Sequence, residues 1–342
     1  MYQKAFILAS NVRELVQQIG TYDNTYKAPH PTQIVGITNS QNFLFDANIH
    51  PNILKEVENK EKATKVIDKE KIELTQLVEF IKKEGLDEIV FIDVTAKDEL
   101  LDFHLKVIND SKNSLVTANK NPLSIYSMDV FRLLNMYNKY DTNTTVMAGI
   151  LNFVNDRTNK ISDKINYISM FSTLYIMSEL DKLEKPFSEI VKDAKNKYTE
   201  PNPWDDLNLD VARKLIILAR YSLNVDLNDI EIDPLINNKY SNYKDEFFQA
   251  IKEEDENFKK LVLEKRDIEV LRYVEVIIIE QVKLKVLKSV PINDLNLKTS
   301  NIAIIETDIL KDPYPHVIKS RALGVTASVR IIKKMLPHNI IS

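Results

Sequence analysis

Four short apolar runs, at residues 5–8, 33–37, 88–92 and 114–117, alternate with helical patterns at 12–18, 74–83 and 100–109. Apolar runs of strand length, separated by segments of helical period, build a parallel sheet with crossover helices. That alternation also fixes where a ligand would go. In an open α/β sheet the crevice lies just past the carboxyl ends of the strands, so the residues that follow each run are the ones to inspect.

From about residue 144 the texture changes. Helical segments at 161–179, 187–196 and 210–221 precede strand-like runs at 269–279, 281–290 and 301–308. Helices followed by consecutive strands predict a separate α+β domain with one open, mostly antiparallel sheet. The last stretch, "VIKSRALGVTASVRIIKKML", ends in a helical pattern from about Val325 that can return to the first domain. The expected division is residues 1–142, completed by 316–342, and residues 143–315. A chain of 342 residues with 44% hydrophobic content has enough apolar surface for two cores. The mixed-charge stretch at 55–71 reads as a solvated helix or loop.

Several function classes fall away. With 46 Lys plus Arg against 50 Asp plus Glu, the net charge of -4 gives no general attraction to nucleic acid or to an anionic membrane. There is no cysteine, and the histidines (His30, His50, His104, His316, His338) lack ligand spacing, so a structural zinc is not expected. The N-terminal apolar core is too short for a signal peptide and no segment reaches the length of a membrane span, which predicts a cytoplasmic protein.

The chemistry concentrates in "EPNPWDDLNLDVARKLIILAR", residues 200–220. Asp210 and Lys214 stand four apart and share a helix face. An isolated pair of this kind is more often a plain surface ion pair. Here Glu200, Asp205 and Asp206 precede the same helix on a segment stiffened by Pro201 and Pro203. Acids around one lysine suit a zwitterionic substrate, and the lysine is a candidate acid or base for an alcohol or its alkoxide. A second motif, "SLVTANKNPL", runs a strand into Thr117, Ala118, Asn119 and Lys120 at a crevice position.

Together these pieces resemble homoserine dehydrogenase. "VTANK" is similar to the family's strand-end lysine motif, "IDVTA" at 92–96 to the preceding strand end, "YTEPNPWDDLNLDVARKLIILAR" to its signature, and "ALGVTAS" to its closing turn and helix. The resemblance implies a Rossmann-like nucleotide-binding domain beside an α+β catalytic and dimerisation domain, and the reversible NAD(P)H-linked reduction of L-aspartate 4-semialdehyde to L-homoserine. It implies Lys214, Lys120 and Asp210 as the catalytic group, with Glu200, Tyr198, Asp205, Asp206 and Thr173 around the substrate. For the dinucleotide it implies Ala9, Ser10, Asn11, Val12, Thr38, Asn39, Ser40, Thr95, Ala96, Gly324 and Thr326. "YDTNTTVMAGI" resembles the family's monovalent-cation loop, which points to sodium or potassium at Asn143, Val146 and Ala148. A homodimer is expected, because an open antiparallel sheet must cover its apolar face. Neither a kinase segment nor a regulatory domain after Ser342 is expected.

The chain departs from the family in one residue type. Only five glycines occur in 342 residues, against an ordinary usage of ~7%. The first turn reads "ILASNVREL" where G-x-G-x-x-G would permit a tight turn and close approach of a pyrophosphate. "DDLNLDVARK" likewise sets Glu200 and Asp210 one residue closer than is usual in the family. Three readings follow: an active enzyme with a divergent nucleotide loop, a silent homologue acting as a binding or regulatory protein, or a recorded sequence that has lost glycines. "GITNS" ends the second strand in Thr38, Asn39 and Ser40 with no acid to bind a ribose 2′-hydroxyl, which favours NADP, or both nucleotides, over NAD alone.

Overall fold

The computed structural model describes residues 3–9, 12–27, 31–38, 42–45, 49, 66–68, 73–110, 112–136, 139–142, 145–146, 150–155, 165–172, 174–197, 203–223, 231–232, 234–243, 246–265, 269–278, 283–284, 288–291, 300–307, 316–321 and 329. The chain divides into two units, Met1–Ala148 with Leu323–Ser342, and Gly149–Ala322.

In the first unit the apolar runs form β1 (Gln3–Leu8), β2 (Thr32–Thr38), β5 (Ile89–Asp93) and β6 (Ser114–Thr117). β3 (Asn42–Phe45), β4 (Val66–Asp68) and β7 (Tyr140–Asp141) complete a sheet of order β4-β3-β2-β1-β5-β6-β7. β1 pairs in parallel with β2 and β5, and β5 with β6. β3 and β4 add an antiparallel edge. Every residue of β5 and β6 is buried, which is why these strands read as unbroken runs and not as alternations. Val66–Asp68, inside the stretch expected to be a solvated helix or loop, is an edge strand; residues 51–65 lie outside the described residues.

The helices cover both faces. α1 (Val12–Tyr26), longer than its sequence pattern suggested, sets Leu15, Val16 and Ile19 against Ala5, Ile7, Ile37, Val90 and Ile92. Val329, from the returning C-terminal segment, joins the same core. On the other face, α2 (Leu74–Lys83) lies beside α3 (Leu101–Asn109), whose Phe103 meets Phe91 of β5 edge-on at 5.5 Å. Phe91 in turn packs on Phe6 of β1 at 5.6 Å. Gly36 permits this: a Cβ there would fall 2.0 Å from the Phe6 ring. Beyond β6 come α4 (Asn121–Ser124) and α5 (Met128–Asn135).

The second unit carries a sheet of β8 (Ile165–Ser172), β10 (Glu269–Ile278), β12 (Lys288–Pro291), β13 (Ser300–Thr307) and β14 (His316–Arg321). Its order is β12-β10-β8-β13-β14 and every pairing is antiparallel. Three sequence expectations are corrected here. Residues 161–179 are not one helix: Ile165–Ser172 is the central strand, and α7 (Leu174–Leu180) follows it. The run "INYISMFS" is too short for its period to separate helix from strand, and pairing with β10 on one side and β13 on the other decides it. The run 281–290 is two strands; β11 (Lys283–Leu284) leaves the main sheet and pairs with β9 (Glu231–Ile232). Finally, His316–Arg321 belongs to this sheet, so the return to the first unit starts at Leu323 instead of residue 316.

The helices of this unit are α6 (Ile150–Asn155), α7, α8 (Phe187–Lys197), α9 (Pro203–Leu223), α10 (Phe247–Ala250) and α11 (Asp255–Lys265). α8 and α11 are joined by Phe187 stacked on Phe258 at 3.9 Å and by Ser188, whose amide and hydroxyl both donate to Asp255. No described helix is long and apolar enough to cross a membrane.

Candidate functional site

The crevice of the first sheet lies between β1 and β5, where the strand order turns from β2 on one side to β5 on the other. The strand ends are tied in line: the Ala9 amide donates to the Thr38 carbonyl at 3.1 Å, the Val94 amide to Leu8 at 2.9 Å, and the Ala118 amide to Asp93 at 2.7 Å. Ala9 is buried with its amide engaged, so what it offers a ligand is a small side chain and not a donor. Thr38 is buried at the end of β2. Of the other expected nucleotide residues, Val12 opens α1, while Ser10, Asn11, Asn39, Ser40, Gly324 and Thr326 lie outside the described residues.

Past β5 and β6 two loops are fastened to each other. The Asn119 side-chain amide donates to the Lys97 carbonyl at 2.9 Å. The Asn121 amide donates to the Ala96 carbonyl at 3.0 Å and to the Asp98 carboxylate at 2.6 Å. Both asparagines are buried. Lys120 lies between them in helical backbone conformation, immediately before α4, and its carbonyl accepts the Ser124 hydroxyl at 2.8 Å. Thr95, Ala96 and Lys120 therefore come to one place, as their strand-end positions suggested, held by Asn119, which the same motif put at the crevice, and by Asn121, which was not among the expected residues.

Behind Thr95 is a network that sequence reading missed altogether. Thr95 donates its amide (2.9 Å) and its hydroxyl (2.7 Å) to Asp93 Oδ1. Asp93 Oδ2 faces His104 Nε2 at 2.9 Å, and His104 Nδ1 faces the Tyr140 hydroxyl at 3.0 Å. Asp93 and His104 are fully buried. A lone histidine on a helix, with partners 11 and 36 residues away, gives no local signal. The one available clue was the Asp two residues before a Thr at a strand end, a spacing that favours a side-chain-to-backbone turn.

In the second unit, α9 begins at Pro203, where a proline with no N–H suits a helix start. Asp205 and Asp206 fall in its first turn, where acids are favoured by the helix dipole; their side chains lie outside the described residues. One side of the helix is core: Asn208, Ala212, Leu215, Leu218 and Ala219 are buried. Asp210 Oδ2 and Lys214 Nζ meet at 2.6 Å, with side-chain exposures of 24% and 21%. Exposure that low separates this pair from the surface bridges of the molecule, such as Lys185 with Asp193 at 50% and 39%. It is a charged pair sheltered from water yet still reachable. Tyr198, Glu200 and Thr173 lie outside the described residues.

Of the expected cation loop, Val146 is buried, and Thr145 donates its amide and hydroxyl to the Thr142 carbonyl at 2.9 and 2.7 Å. Asn143 and Ala148 lie outside the described residues. Among the described residues no group of three or more His, Cys, Asp or Glu side chains could hold a metal.

The family model for homoserine dehydrogenase matches residues 147–329, more than half of the chain. The bifunctional aspartokinase/homoserine dehydrogenase of Buchnera aphidicola is 30% identical over 279 residues, 76% of this chain and 34% of that protein. The homoserine dehydrogenase of Schizosaccharomyces pombe is 35% identical over 162 residues, 43% of this chain and 42% of that one. The matches thus span about a third and about two fifths of these curated relatives. Among solved structures, a hyperthermophilic archaeal homoserine dehydrogenase in complex with NADPH is similar with a TM-score of 0.68 at 19% identity, covering 98% of this chain and 97% of that one. At that identity the likeness shows the fold alone, an α/β unit beside a second sheet-bearing unit. By the family model that matches over half its length, the chain belongs to the homoserine dehydrogenase family.

Proposed function

We propose that the chain is an NAD(P)-dependent oxidoreductase, the homoserine dehydrogenase that reversibly reduces L-aspartate 4-semialdehyde to L-homoserine. The observation that carries the reading is the sheltered Asp210–Lys214 pair at 2.6 Å, inside the segment matched by the family model. A silent homologue under no demand for proton transfer has no reason to hold an ion pair out of water at this position, since such a pair costs desolvation.

The residues at the strand ends suit a dinucleotide: a small buried Ala9 at the β1 turn, a helix start at Val12, and the fastened Thr95–Ala96 loop. When bound, the nicotinamide supplies the hydride. Lys214, held by Asp210, gives a proton to the oxygen that becomes the alcohol and takes it back in the reverse direction. An ammonium near that oxygen also stabilises the negative charge developing on it. Lys120 is the second lysine of this group. Glu200 receives the substrate ammonium, with Tyr198, Asp205, Asp206 and Thr173 lining the pocket. Ser10, Asn11, Thr38, Asn39, Ser40, Gly324 and Thr326 complete the nucleotide contacts, and the lack of an acid after β2 favours NADP. A sodium or potassium ion at Asn143, Val146 and Ala148, a homodimer formed through the open sheet, and a cytoplasmic role in making threonine and methionine belong to the same proposal.

The test is NADPH oxidation by the purified chain with L-aspartate 4-semialdehyde, with NADH in parallel. Turnover, faster with NADPH, is the expected result. A folded sample that turns over neither nucleotide would transfer the reading to the silent homologue.

A further inference from the structure

A fully buried histidine and aspartate and a buried tyrosine stand in series behind Thr95, and the mechanism above uses none of them. The direction of each hydrogen bond can be worked out. A carboxylate only accepts, so His104 Nε2 carries a proton and donates it to Asp93 Oδ2 at 2.9 Å. In the neutral ring Nδ1 is then bare and accepts the Tyr140 hydroxyl at 3.0 Å. Asp93 Oδ1 accepts the Thr95 amide, which can do nothing but donate, at 2.9 Å. It also takes the Thr95 hydroxyl proton at 2.7 Å.

That last bond has a consequence for ligands. A hydroxyl has one proton, and the one on Thr95 is committed to a buried carboxylate that His104 locks from behind. What Thr95 Oγ1 can still do is accept. The Asn119 amide lies 3.5 Å from it, at the limit of a hydrogen bond, while giving its shorter 2.9 Å bond to Lys97. Thr95 is partly exposed at the crevice end of β5, so a lone pair remains for a ligand.

We propose that Thr95 is a fixed hydrogen-bond acceptor toward the nucleotide, with Asp93 and His104 as positioning residues, so that it receives a donor group and not a phosphate. The inference rests on the dinucleotide reading above. Three parts of a nicotinamide dinucleotide present such a donor: the carboxamide N–H, the adenine 6-amino group and the ribose O–H groups. Phosphate oxygens present none, and a phosphate beside the Asp93 carboxylate would be repelled.

Calorimetric binding of NADP+ to the full chain tests it. Thr95→Val, which keeps the shape and loses the hydroxyl, should weaken binding about fivefold to tenfold, and Thr95→Ser should restore it to within about twofold. The 3-acetylpyridine analogue, whose methyl ketone replaces the carboxamide, separates the carboxamide from the other donors. If the carboxamide is the donor, wild type and Thr95→Val bind the analogue equally; if a ribose hydroxyl or the adenine amino group is, the same ratio persists. A folded Thr95→Val that binds NADP+ as tightly as wild type overturns the inference.

The positioning role is read by a double-mutant cycle. Asp93→Asn keeps shape and one carbonyl oxygen, and the affinity it loses should vanish when it is made in the Thr95→Val background. A loss that adds in full would show Asp93 to be merely structural. Wild-type chain that binds no NADP+ fails the dehydrogenase reading itself, a different result from binding that ignores Thr95.

Discussion

The charged pair on α9 and the hydrogen-bonded series behind β5 are built over different distances along the chain. Asp210 and Lys214 are four residues apart on one helix, and their meeting follows from helical geometry alone. Asp93, His104 and Tyr140 come from a strand, a helix and an edge strand, and they meet only because the whole first sheet has formed. The first arrangement needs little of the fold and exposes its charge to a ligand. The second is wholly interior, and it acts on a ligand only through Thr95. A group that does chemistry can be local, whereas a group that fixes the direction of another needs the rigidity of the core.

The largest expected effect breaks the local pair. Lys214→Ala should lower kcat by at least about 100-fold, the lower end of what a positioned acid or base contributes. Because the Lys214 side chain is 21% exposed and lies off the buried side of α9, thermal unfolding should be nearly unchanged. Steady-state assay and a melting curve on the same sample check both halves. Near-normal turnover would remove Lys214 from its role and leave the pair as an ion pair only.

The same contrast of distances explains what could be read from the chain. The parallel strands β1, β2, β5 and β6 announce themselves, because burial on both faces makes them continuous apolar runs flanked by helical period. The Asp210–Lys214 face is legible from spacing. β8 was not: "INYISMFS" has the composition of either element, and only its pairing with β10 and β13 makes it a strand. Lys120 and Asn119 could be placed at a strand end, but not the bonds by which Asn119 and Asn121 hold the loop. Their partners at residues 96–98 are more than 20 residues away.

A smaller effect should come from the tight approach of β1 to β2. Gly36→Ala would put a methyl 2.0 Å from the Phe6 ring. Phe6 is fully buried against Phe91, which meets Phe103 in turn, so the ring has no room to retreat. Overpacking of this kind costs about 1–3 kcal/mol, read as a shift in denaturant midpoint. Phe6→Leu in the same chain should recover part of it. If Gly36→Ala is neutral, the first sheet is looser than a scaffold that aims Thr95 requires.

The smallest expected effect lies at the opposite end of the same sheet, before the strands begin. Asp110 follows α3, has a side chain 4% exposed, and pairs with Lys82 at the end of α2, whose side chain is 55% exposed. Burial pushes the Asp110 carboxyl up, but the hydrogen-bonded Lys82 ammonium and the Lys112 amide outweigh it and hold the group below the usual carboxylate range. A carboxyl depressed by folding contributes stability that is fully present above its unfolded pKa of ~3.9 and is lost as pH falls through the lower folded value. Lys82→Ala should therefore destabilise by about 1 kcal/mol at pH 7, no more, because water screens a half-exposed ammonium. The difference from wild type should shrink below about pH 4 as Asp110 takes up its proton. NADP+ affinity should not change, since the pair sits at the amino ends of strands whose carboxyl ends form the crevice. A loss of affinity in Lys82→Ala would mean that the two ends of the strands are coupled, and that the series behind Thr95 is sensitive to more of the fold than its own hydrogen bonds.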